Sequence, residues 1–292
     1  MEKRNIIIGG AWPYANSSLH LGHIAGLISG DFLARYHRLK GDNVLYVSGS
    51  DCHGTPITER AKKEGVSPKE ISSEYDEEFN KMFNGYQFSY DLYSRTFDEY
   101  HKEKVKVLFR KLYDNGYIYE KFETQAYCEK CNKFLADREI TLICPECGAE
   151  TKGDQCDACL HVPTTEELKA GNCIDCGSKI VEKENKVLYL ALSKFQKQIE
   201  EQTEKVKSNW RINAQNETLK YLKQGLLDRA VTRDLTWGVD IPVEGYEDKK
   251  MYVWIDAVLG YLTNTMKLCE ERTDCTWEYF WKEGHNNKIY MC

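Results

Sequence analysis

The chain has 292 residues, 12 of them cysteines, and this length suits one large domain or two small ones around a buried core. A hydrophobic share of 41% and a charged share of 29% are ordinary for globular proteins and argue against a disordered or fibrous chain. Because 46 acidic and 40 basic residues leave a net charge of −6, the whole-chain field does not attract nucleic acid, and any phosphate binding has to be local.

The sequence shows no membrane or export signal. No apolar run approaches the roughly 18 residues that a membrane-spanning helix needs. The N-terminal stretch offers only the isoleucines of residues 6–8 before Gly9. We therefore predict a cytoplasmic protein that has no membrane partner.

The first predicted elements form a strand, a helix and a strand. Residues 5–9 read as a short buried strand, because a β-branched run is stopped by glycine. Ser17 and Ser18 are predicted to cap a helix that runs to about Lys40, and residues 43–47 form the second strand. This crossover is typical of nucleotide-binding domains and predicts an α/β fold. The helix has one predicted apolar face, made of Ile24, Leu27, Ile28, Phe32, Tyr36 and Leu39.

Later segments alternate between periodic stretches and one region without periodicity. Residues 119–186 hold most of the cysteines and predict an inserted module shaped by metal rather than by a core. The predicted domains are therefore residues 1–118, 119–186 and 187–292. The further predicted elements are helices over 57–65, 68–85, 97–116, 194–208, 216–224 and 257–270, and strands over 187–192 and 251–256.

Eight cysteines occur as four Cys-x-x-Cys pairs, and two thiolates at that spacing are placed to share one tetrahedral ion. Four pairs predict two structural zinc sites, since disulfides would need an oxidising compartment. Spacing leaves three ways of combining the pairs open, although the short segment 148–155 makes one compact site from the middle pairs easy. The pairs are Cys128/Cys131, Cys144/Cys147, Cys156/Cys159 and Cys173/Cys176.

His20 and His23 lie where the first strand leads into the first helix. A helix N-terminus favours phosphate, and two imidazoles three residues apart add donors for a developing phosphoryl charge. Gly22 has no side chain, so a nucleotide can lie directly against the backbone at this position. Alone, such a pair is more often a metal site or two surface histidines than a catalytic motif.

Residues 12–23, WPYANSSLHLGH, resemble the HIGH signature of class I aminoacyl-tRNA synthetases, and specifically of the methionyl-tRNA synthetases. Four further segments agree in order and spacing: GSDCHGTP (49–56), the four cysteine pairs, RDLTWG (233–238) and YVWIDAVLGY (252–261). The resemblance runs from about Asn5 to the last residue. It implies a Rossmann-like catalytic domain with an inserted zinc-binding connective domain.

The resemblance also implies roles for single residues. Asp51 would pair with the ammonium of methionine, which is apt because a carboxylate is the natural partner of that charge. His53 would support this site. Aromatic faces suit a polarizable thioether, and the implied methionine-binding residues besides Asp51 are Trp12, Pro13, Tyr14, Trp254 and Tyr261. Trp12 departs from the family, which commonly has a smaller apolar residue there.

On the nucleotide side, the resemblance implies that ATP, with Mg²⁺, lies against His20, Gly22 and His23. His20, His23 and Arg233 would be catalytic, and Asp234 accompanies the arginine near the active site. The middle two cysteine pairs would share one zinc ion and the outer two pairs the other. The zinc module would shape the entrance for the tRNA acceptor end.

The implied reaction is ATP-dependent activation of L-methionine and its transfer to tRNA(Met) in translation. The family's Gly-Lys-Asp segment and KMSKS loop, whose lysines stabilise pyrophosphate, do not occur in the 292 residues. We therefore predict a catalytic-domain fragment with an incomplete sheet that is inactive alone. The alternative is an impaired paralogue, or one piece of a split enzyme completed by a separate chain, that binds methionine, tRNA or a partner. A zinc-stabilised RNA-binding module would leave Asp51, Trp254 and Tyr261 without a role.

Overall fold

The computed structural model describes residues 3–272 and 274–292. The α-helices are α1 (Leu21–Leu39), α2 (Thr55–Glu64), α3 (Pro68–Gly85), α4 (Glu99–Asp114), α5 (Thr165–Leu168), α6 (Gln196–Val206), α7 (Ile212–Gln224), α8 (Val253–Glu271) and α9 (Glu278–Trp281). The strands are β1 (Asn5–Gly9), β2 (Asn43–Ser50), β3 (Leu92–Arg95), β4 (Ile118–Cys128), β5 (Lys133–Phe134), β6 (Ile140–Ile143), β7 (Glu150–Lys152), β8 (Asn172–Cys173), β9 (Val181–Leu190), β10 (Arg229–Ala230), β11 (Thr232–Arg233), β12 (Lys250–Met251) and β13 (Asn287–Met291).

The chain folds as two compact units. The first consists of the chain up to Asn115 together with Leu235–Cys292, and the second is Gly116–Asp234. Within the described residues, the helices are not long and apolar enough to cross a membrane.

The first unit is built on a four-stranded parallel sheet in the order β13-β1-β2-β3. Its central strand β1 is buried on both faces, as its continuous isoleucine run predicts for a parallel sheet. Ile7 packs with Phe280 on one face, while Ile6 and Ile8 pack with Ala34 of α1 on the other. The predicted strand–helix–strand opening and the α/β class are confirmed.

Helix α1 differs from its prediction at both its start and its buried face. Its N-cap is His20, and Ser18 instead donates to Glu78 Oε2 at 3.2 Å. Ile24 and Leu27 are buried, but the predicted core residues Phe32, Tyr36 and Leu39 are 67%, 53% and 89% exposed, and Ile28 is exposed as well. The apolar-face prediction was therefore wrong for four of its six residues.

The buried face of α1 is partly polar instead. Asp31 is buried because the backbone N–H and the hydroxyl of Ser89 both donate to its Oδ1 at 2.6 Å. His37 is buried beside Asp42, with 2.8 Å between Nδ1 and Oδ2. Buried polar groups with hydrogen-bond partners carry little penalty, so α1 can turn this face inward.

Helix α8 begins where a strand was predicted. The β-branched and aromatic residues of 251–256 favour a strand by propensity, yet β12 ends at Met251 and α8 starts at Val253. Asp256 lies in the first turn of α8, where a negative side chain faces the positive end of the helix dipole. The predicted strand over residues 251–256 was therefore wrong.

The second unit contains a long antiparallel pair and the cysteine-rich strands. Strands β4 and β9 pair from Ile118 opposite Leu190 to Tyr127 opposite Val181. The short strands β6, β7 and β8 form a separate sheet. A small apolar cluster around the cysteines supports this region, and it includes Leu135, Ile140, Leu142, Leu168 and Ile180.

Candidate active site and metal centres

The eight paired cysteines of the second unit form two groups. The first cluster is Cys128, Cys131, Cys173 and Cys176, and the second cluster is Cys144, Cys147, Cys156 and Cys159. The sulfur atoms of each cluster lie within 4.8 Å of one another. This is the nested grouping that the family resemblance implies.

The sulfur spacing fits a tetrahedral zinc ion. In the first cluster, the Sγ atoms of Cys128 and Cys176 are 3.4 Å apart and those of Cys131 and Cys173 are 3.9 Å apart. The corresponding distances in the second cluster are 3.6 and 3.7 Å. Four sulfurs placed about 2.3 Å from a central zinc lie about 3.8 Å from each other. Both thiol sets therefore suit one zinc ion each.

Tight turns bring each pair of thiols together. After the second cysteine of three pairs, the backbone turns left-handed and its N–H donates to the carbonyl of the first cysteine. These residues are Gly148, Leu160 and Gly177, with bonds of 2.8 to 2.9 Å. Asn132 also turns left-handed after the remaining pair, but its N–H donates to Glu129. The local chain thus presents both thiols of a pair on one side.

Hydrogen-bond donors around the clusters make some thiols acidic. The backbone N–H groups of Cys159 and Ala158 lower the pKa of Cys156 to about 6. The hydroxyl and the backbone N–H of Ser178 lower the pKa of Cys176 to about 6. In the first cluster, the hydrogen bond with Cys176 and burial raise the pKa of Cys131 to about 12, so binding of a metal ion by all four thiolates would release protons.

In the first unit, His20 and His23 cap the N-terminus of α1 reciprocally. The Gly22 backbone N–H donates to His20 Nδ1 at 3.0 Å, and the His20 backbone N–H donates to His23 Nδ1 at 3.1 Å. The two ring centroids are 3.9 Å apart and both side chains are exposed. A Cβ at Gly22 would lie 2.9 Å from the His20 ring, so the glycine makes room for this cap.

The reciprocal cap fixes which ring nitrogens can donate. Each Nδ1 accepts a backbone hydrogen bond, so the ring proton of each neutral imidazole lies on Nε2. Partial burial and the neighbouring His20 lower the pKa of His23, which keeps that ring neutral at pH 7. The cap therefore presents two N–H donors at a helix N-terminus, a position suited to phosphate oxygens.

Asp51 lies directly after β2 and is clamped by the segment that leads to α1. Its backbone N–H donates to Pro13, and the backbone N–H of Ala15 donates back to the Asp51 carbonyl, both at 2.9 Å. The side chain is buried, and its carboxylate accepts from the backbone N–H of His53 at 3.5 Å. Burial and the charge of Asp256 raise the pKa of Asp51 well above its usual value. A cation placed beside this carboxylate would relieve both penalties.

Trp12 and Tyr261, two of the predicted methionine-binding residues, lie in contact with each other. Their ring centroids are 6.0 Å apart in an edge-to-face arrangement. The Trp12 ring lies between two glycines, since a Cβ at Gly49 or Gly260 would be 2.6 or 2.5 Å from it. The large side chain at position 12 is therefore accommodated by glycine on both neighbouring elements. Burial raises the pKa of Tyr261 to about 12.

Trp254 and Tyr14 form a second contact between the same two stretches of chain. The Trp254 Nε1–H donates to the Tyr14 hydroxyl at 2.8 Å. The Trp254 side chain is 60% exposed, so much of its ring surface contacts solvent. The structure thus brings the N-terminal motif and α8 together at two points.

Arg233 and Asp234 belong to the second unit. The Arg233 guanidinium donates to the carbonyl oxygens of Ala230 and Thr232 at 3.3 and 2.8 Å. Asp234 accepts from the Asn185 side chain at 2.8 Å. These bonds tie both side chains to their own unit, and the catalytic role of Arg233 remains a prediction.

Sequence reasoning missed the partner of His53. His53 Nδ1 lies 2.7 Å from Asp256 Oδ2, and both residues are almost fully buried, with 1% and 0% exposure. Burial lowers the pKa of His53 to about 3 and raises the pKa of Asp256 well above its usual value. The available signal was one carboxylate inside the otherwise apolar run around Ile255 and Ala257.

A family model described as tRNA synthetases class I (M) matches residues 6–292. The chain belongs to this family of class I tRNA synthetases. The resemblance drawn from five separate motifs is therefore confirmed. Within the synthetase family, methionine–tRNA ligase 1 of Alkaliphilus oremlandii (strain OhILAs) is 54% identical over 279 residues, which is 96% of this chain and 52% of that protein. The methionine–tRNA ligase of Bacillus mycoides (strain KBAB4) is 54% identical over 288 residues, covering 98% of this chain and 53% of the relative.

A solved class I synthetase shows the same fold. The Mycobacterium tuberculosis methionyl-tRNA synthetase in complex with methionyl-adenylate aligns with a TM-score of 0.66 and 24% identity over 90% of this chain and 47% of that chain. The Rossmann-like fold class is thereby confirmed. The chain spans about half the length of the curated relatives it matches.

Proposed function

We propose that this chain carries the amino-acid side of a methionine–tRNA ligase catalytic site. The observation that carries the proposal is Asp51, a buried carboxylate whose only hydrogen bond among the described residues comes from a backbone N–H. A buried carboxylate without a cation favours a cationic ligand, and the α-ammonium of an amino acid supplies one. Relatives at 54% identity carry ligase names, which favours this fragment over an impaired paralogue.

The aromatic side chains of the N-terminal motif and of α8 suit the rest of methionine. Trp12 and Tyr261 would flank the thioether, since sulfur packs favourably at ring edges. Pro13, through its carbonyl bond to Asp51, would set the distance between carboxylate and pocket. Tyr14 and Trp254, joined at 2.8 Å, would close the outer wall.

ATP, with Mg²⁺, would bind at the other end of the same motif. In the proposed first step, a methionine carboxylate oxygen forms a bond to the α-phosphorus of ATP, the α–β phosphoanhydride bond breaks, and pyrophosphate leaves. The Nε2–H groups of His20 and His23 would donate to the phosphate oxygens as charge develops there. Gly22 would let the nucleotide approach the backbone, and Arg233 is the further catalytic residue of the proposal. A hydroxyl of the terminal ribose of tRNA(Met) would then form an ester bond to the methionyl carbonyl carbon, the bond from that carbon to the phosphate oxygen would break, and AMP would leave while the hydroxyl proton passes to solvent.

The two cysteine clusters would hold structural zinc. With four thiolates around each ion, no coordination position is left for substrate or water, so the zinc ions would support the fold rather than the chemistry. We propose that residues 119–186 form the connective domain that shapes the entrance for the tRNA acceptor end. Residues 1–118 and 187–292 would form the catalytic domain, and the protein would act in the cytoplasm.

Activation by this chain alone is expected to fail. The 292 residues contain no KMSKS segment, and loss of such positive groups around a developing phosphate charge commonly lowers rates by orders of magnitude. We expect no methionine-dependent exchange of labelled pyrophosphate into ATP above a control without methionine. Robust exchange would contradict this expectation and would show that other residues supply the missing charge. We expect addition of a polypeptide that carries the family's KMSKS segment to restore exchange.

A further inference from the structure

His53 and Asp256 form a buried pair, and the role proposed for them below rests on the proposed methionine site. His53 follows Asp51 by two residues, and its backbone N–H is the donor to the Asp51 carboxylate. Asp256 lies in the first turn of α8, two residues after Trp254 and five before Tyr261. The 2.7 Å bond between the pair thus joins the carboxylate side of the proposed pocket to its aromatic side.

Packing around His53 leaves its ring little freedom. The Trp237 ring lies edge-on to it at 5.4 Å, and Trp237 Nε1–H donates to the carbonyl of Cys52 at 2.6 Å. Gly54 follows with a left-handed φ of 95°, a backbone conformation that glycine adopts without strain. The chain from Asp51 to Gly54 is therefore held on both sides of the histidine.

The pair is buried at a cost that packing alone does not explain. His53 Nε2 and Asp256 Oδ1 are both buried without a hydrogen-bond partner among the described residues. A buried polar atom left unbonded keeps the full desolvation penalty of its burial, so an apolar pair would stabilise this position better. Such costly groups tend to persist where they serve a site.

We propose that His53 and Asp256 form a positioning pair, which holds the Asp51 carboxylate against α8 at the place where the ammonium of the amino acid binds. The Nδ1–H of the neutral His53 ring donates to Asp256. This bond fixes the position of the loop that carries Asp51 relative to the aromatic side chains of α8. Neither residue needs to touch the reacting atoms. The pair acts on recognition of the ammonium group rather than on the thioether.

Two substitutions of His53 separate the effect of its hydrogen bond to Asp256 from the effect of changing the size of its side chain. In His53→Asn, the side-chain amide nitrogen occupies the place of Nδ1 and keeps the donor to Asp256. In His53→Gln, the amide nitrogen lies near the place of Nε2 and the donor is lost. Asp256→Leu breaks the same bond from the other side while keeping the side-chain shape, so the test does not depend on one variant folding.

The matched control is a second buried His–Asp pair in the same unit. His37 Nδ1 lies 2.8 Å from Asp42 Oδ2, at the opposite end of β2 from Asp51. His37→Gln breaks a bond of the same kind away from the proposed pocket. It is expected to lower the melting temperature without changing methionine affinity.

The experiment titrates the full 292-residue chain with L-methionine and with 4-(methylsulfanyl)butanoic acid, the analogue that lacks the amino group. Calorimetry follows methionine, and ligand-observed NMR follows the weaker acid. We expect His53→Gln and Asp256→Leu to weaken methionine binding tenfold or more and the acid less than threefold. His53→Asn should stay within threefold of wild type for both.

Different failures point to different conclusions. If His53→Gln binds methionine as wild type does, or if His53→Asn and His53→Gln lose affinity equally, the positioning pair is wrong while the proposed function stands. An equal loss for both ligands would also overturn it, by assigning the pair to general folding. If the wild-type chain binds neither ligand, the proposed function fails and the inference fails with it.

Discussion

Replacing Cys173 by serine is expected to release one of two zinc ions and to melt the cysteine-rich part of the second unit. Wild type should contain about two zinc ions per chain, because two complete tetrahedral thiol sets are present. Structural zinc contributes roughly 10 to 16 kcal/mol to the folding of small zinc-binding peptides at pH 7. Cys173 also packs in the apolar cluster with Ile140, so its loss removes the metal from beside that core.

The measurement combines metal analysis with thermal melting. Cys173→Ser should hold about one zinc ion and melt well below wild type. Cys147→Ser should also hold about one ion but lose less stability, because Cys147 is exposed and lies outside that core. Cys292→Ser, outside both clusters, serves as the control that keeps two ions. A wild-type chain that contains no zinc and has oxidised thiols would contradict the whole interpretation of the clusters.

Replacing Asp51 by asparagine is expected to abolish most methionine affinity while leaving the fold intact or more stable. Loss of a hydrogen bond to a charged group, worth about 1.5 to 3 kcal/mol, corresponds to about 10- to 150-fold weaker binding. The same substitution is expected to raise the free energy of unfolding. Burial raises the pKa of Asp51 in the folded chain, so ionised Asp51 lowers stability as pH rises from the unfolded pKa through the raised one. Asparagine carries no ionisable carboxyl, so it removes the cost of ionising a buried Asp51 at pH 7.5.

Asp42 provides the contrasting control for this substitution. The Arg4 guanidinium bonds the Asp42 carboxylate at 2.7 Å and, with His37, holds its pKa well below the usual value. A depressed pKa contributes stability that is present above the unfolded pKa and is lost in acid. Asp42→Asn should therefore lower the melting temperature at pH 7.5 and leave methionine binding unchanged. If both variants weaken binding equally, Asp51 has no special role.

Features that depend only on residues close together in the sequence could be predicted from the sequence pattern of that segment. The isoleucine run of β1 and the spacing of the cysteine pairs predicted a parallel strand and two thiol clusters, because periodicity and chelate spacing are properties of short segments. The family motifs then placed Asp51, Trp12 and Tyr261 in one unit, where the structure also has them in the neighbourhood of β2 and α8.

Features that depend on distant partners were not predictable in this way. The buried face of α1 is set by Ser89 and Asp42, which satisfy Asp31 and His37 from outside the helix. The bond between His53 and Asp256 spans 203 positions of sequence, and the strand-like composition around Asp256 concealed the first turn of α8. Propensity describes single residues, whereas burial of a polar group depends on the partner that the fold brings to it.

The most direct test of a methionine pocket in this chain is a calorimetric titration of the zinc-loaded 292-residue chain with L-methionine at pH 7.5, beside titrations with L-leucine and D-methionine. We expect saturable binding of L-methionine, and at least tenfold weaker binding of the other two amino acids, because a thioether pocket and one fixed carboxylate have to be satisfied together. Equal affinity for the three amino acids, or no binding of L-methionine by a chain that contains two zinc ions, would contradict this expectation.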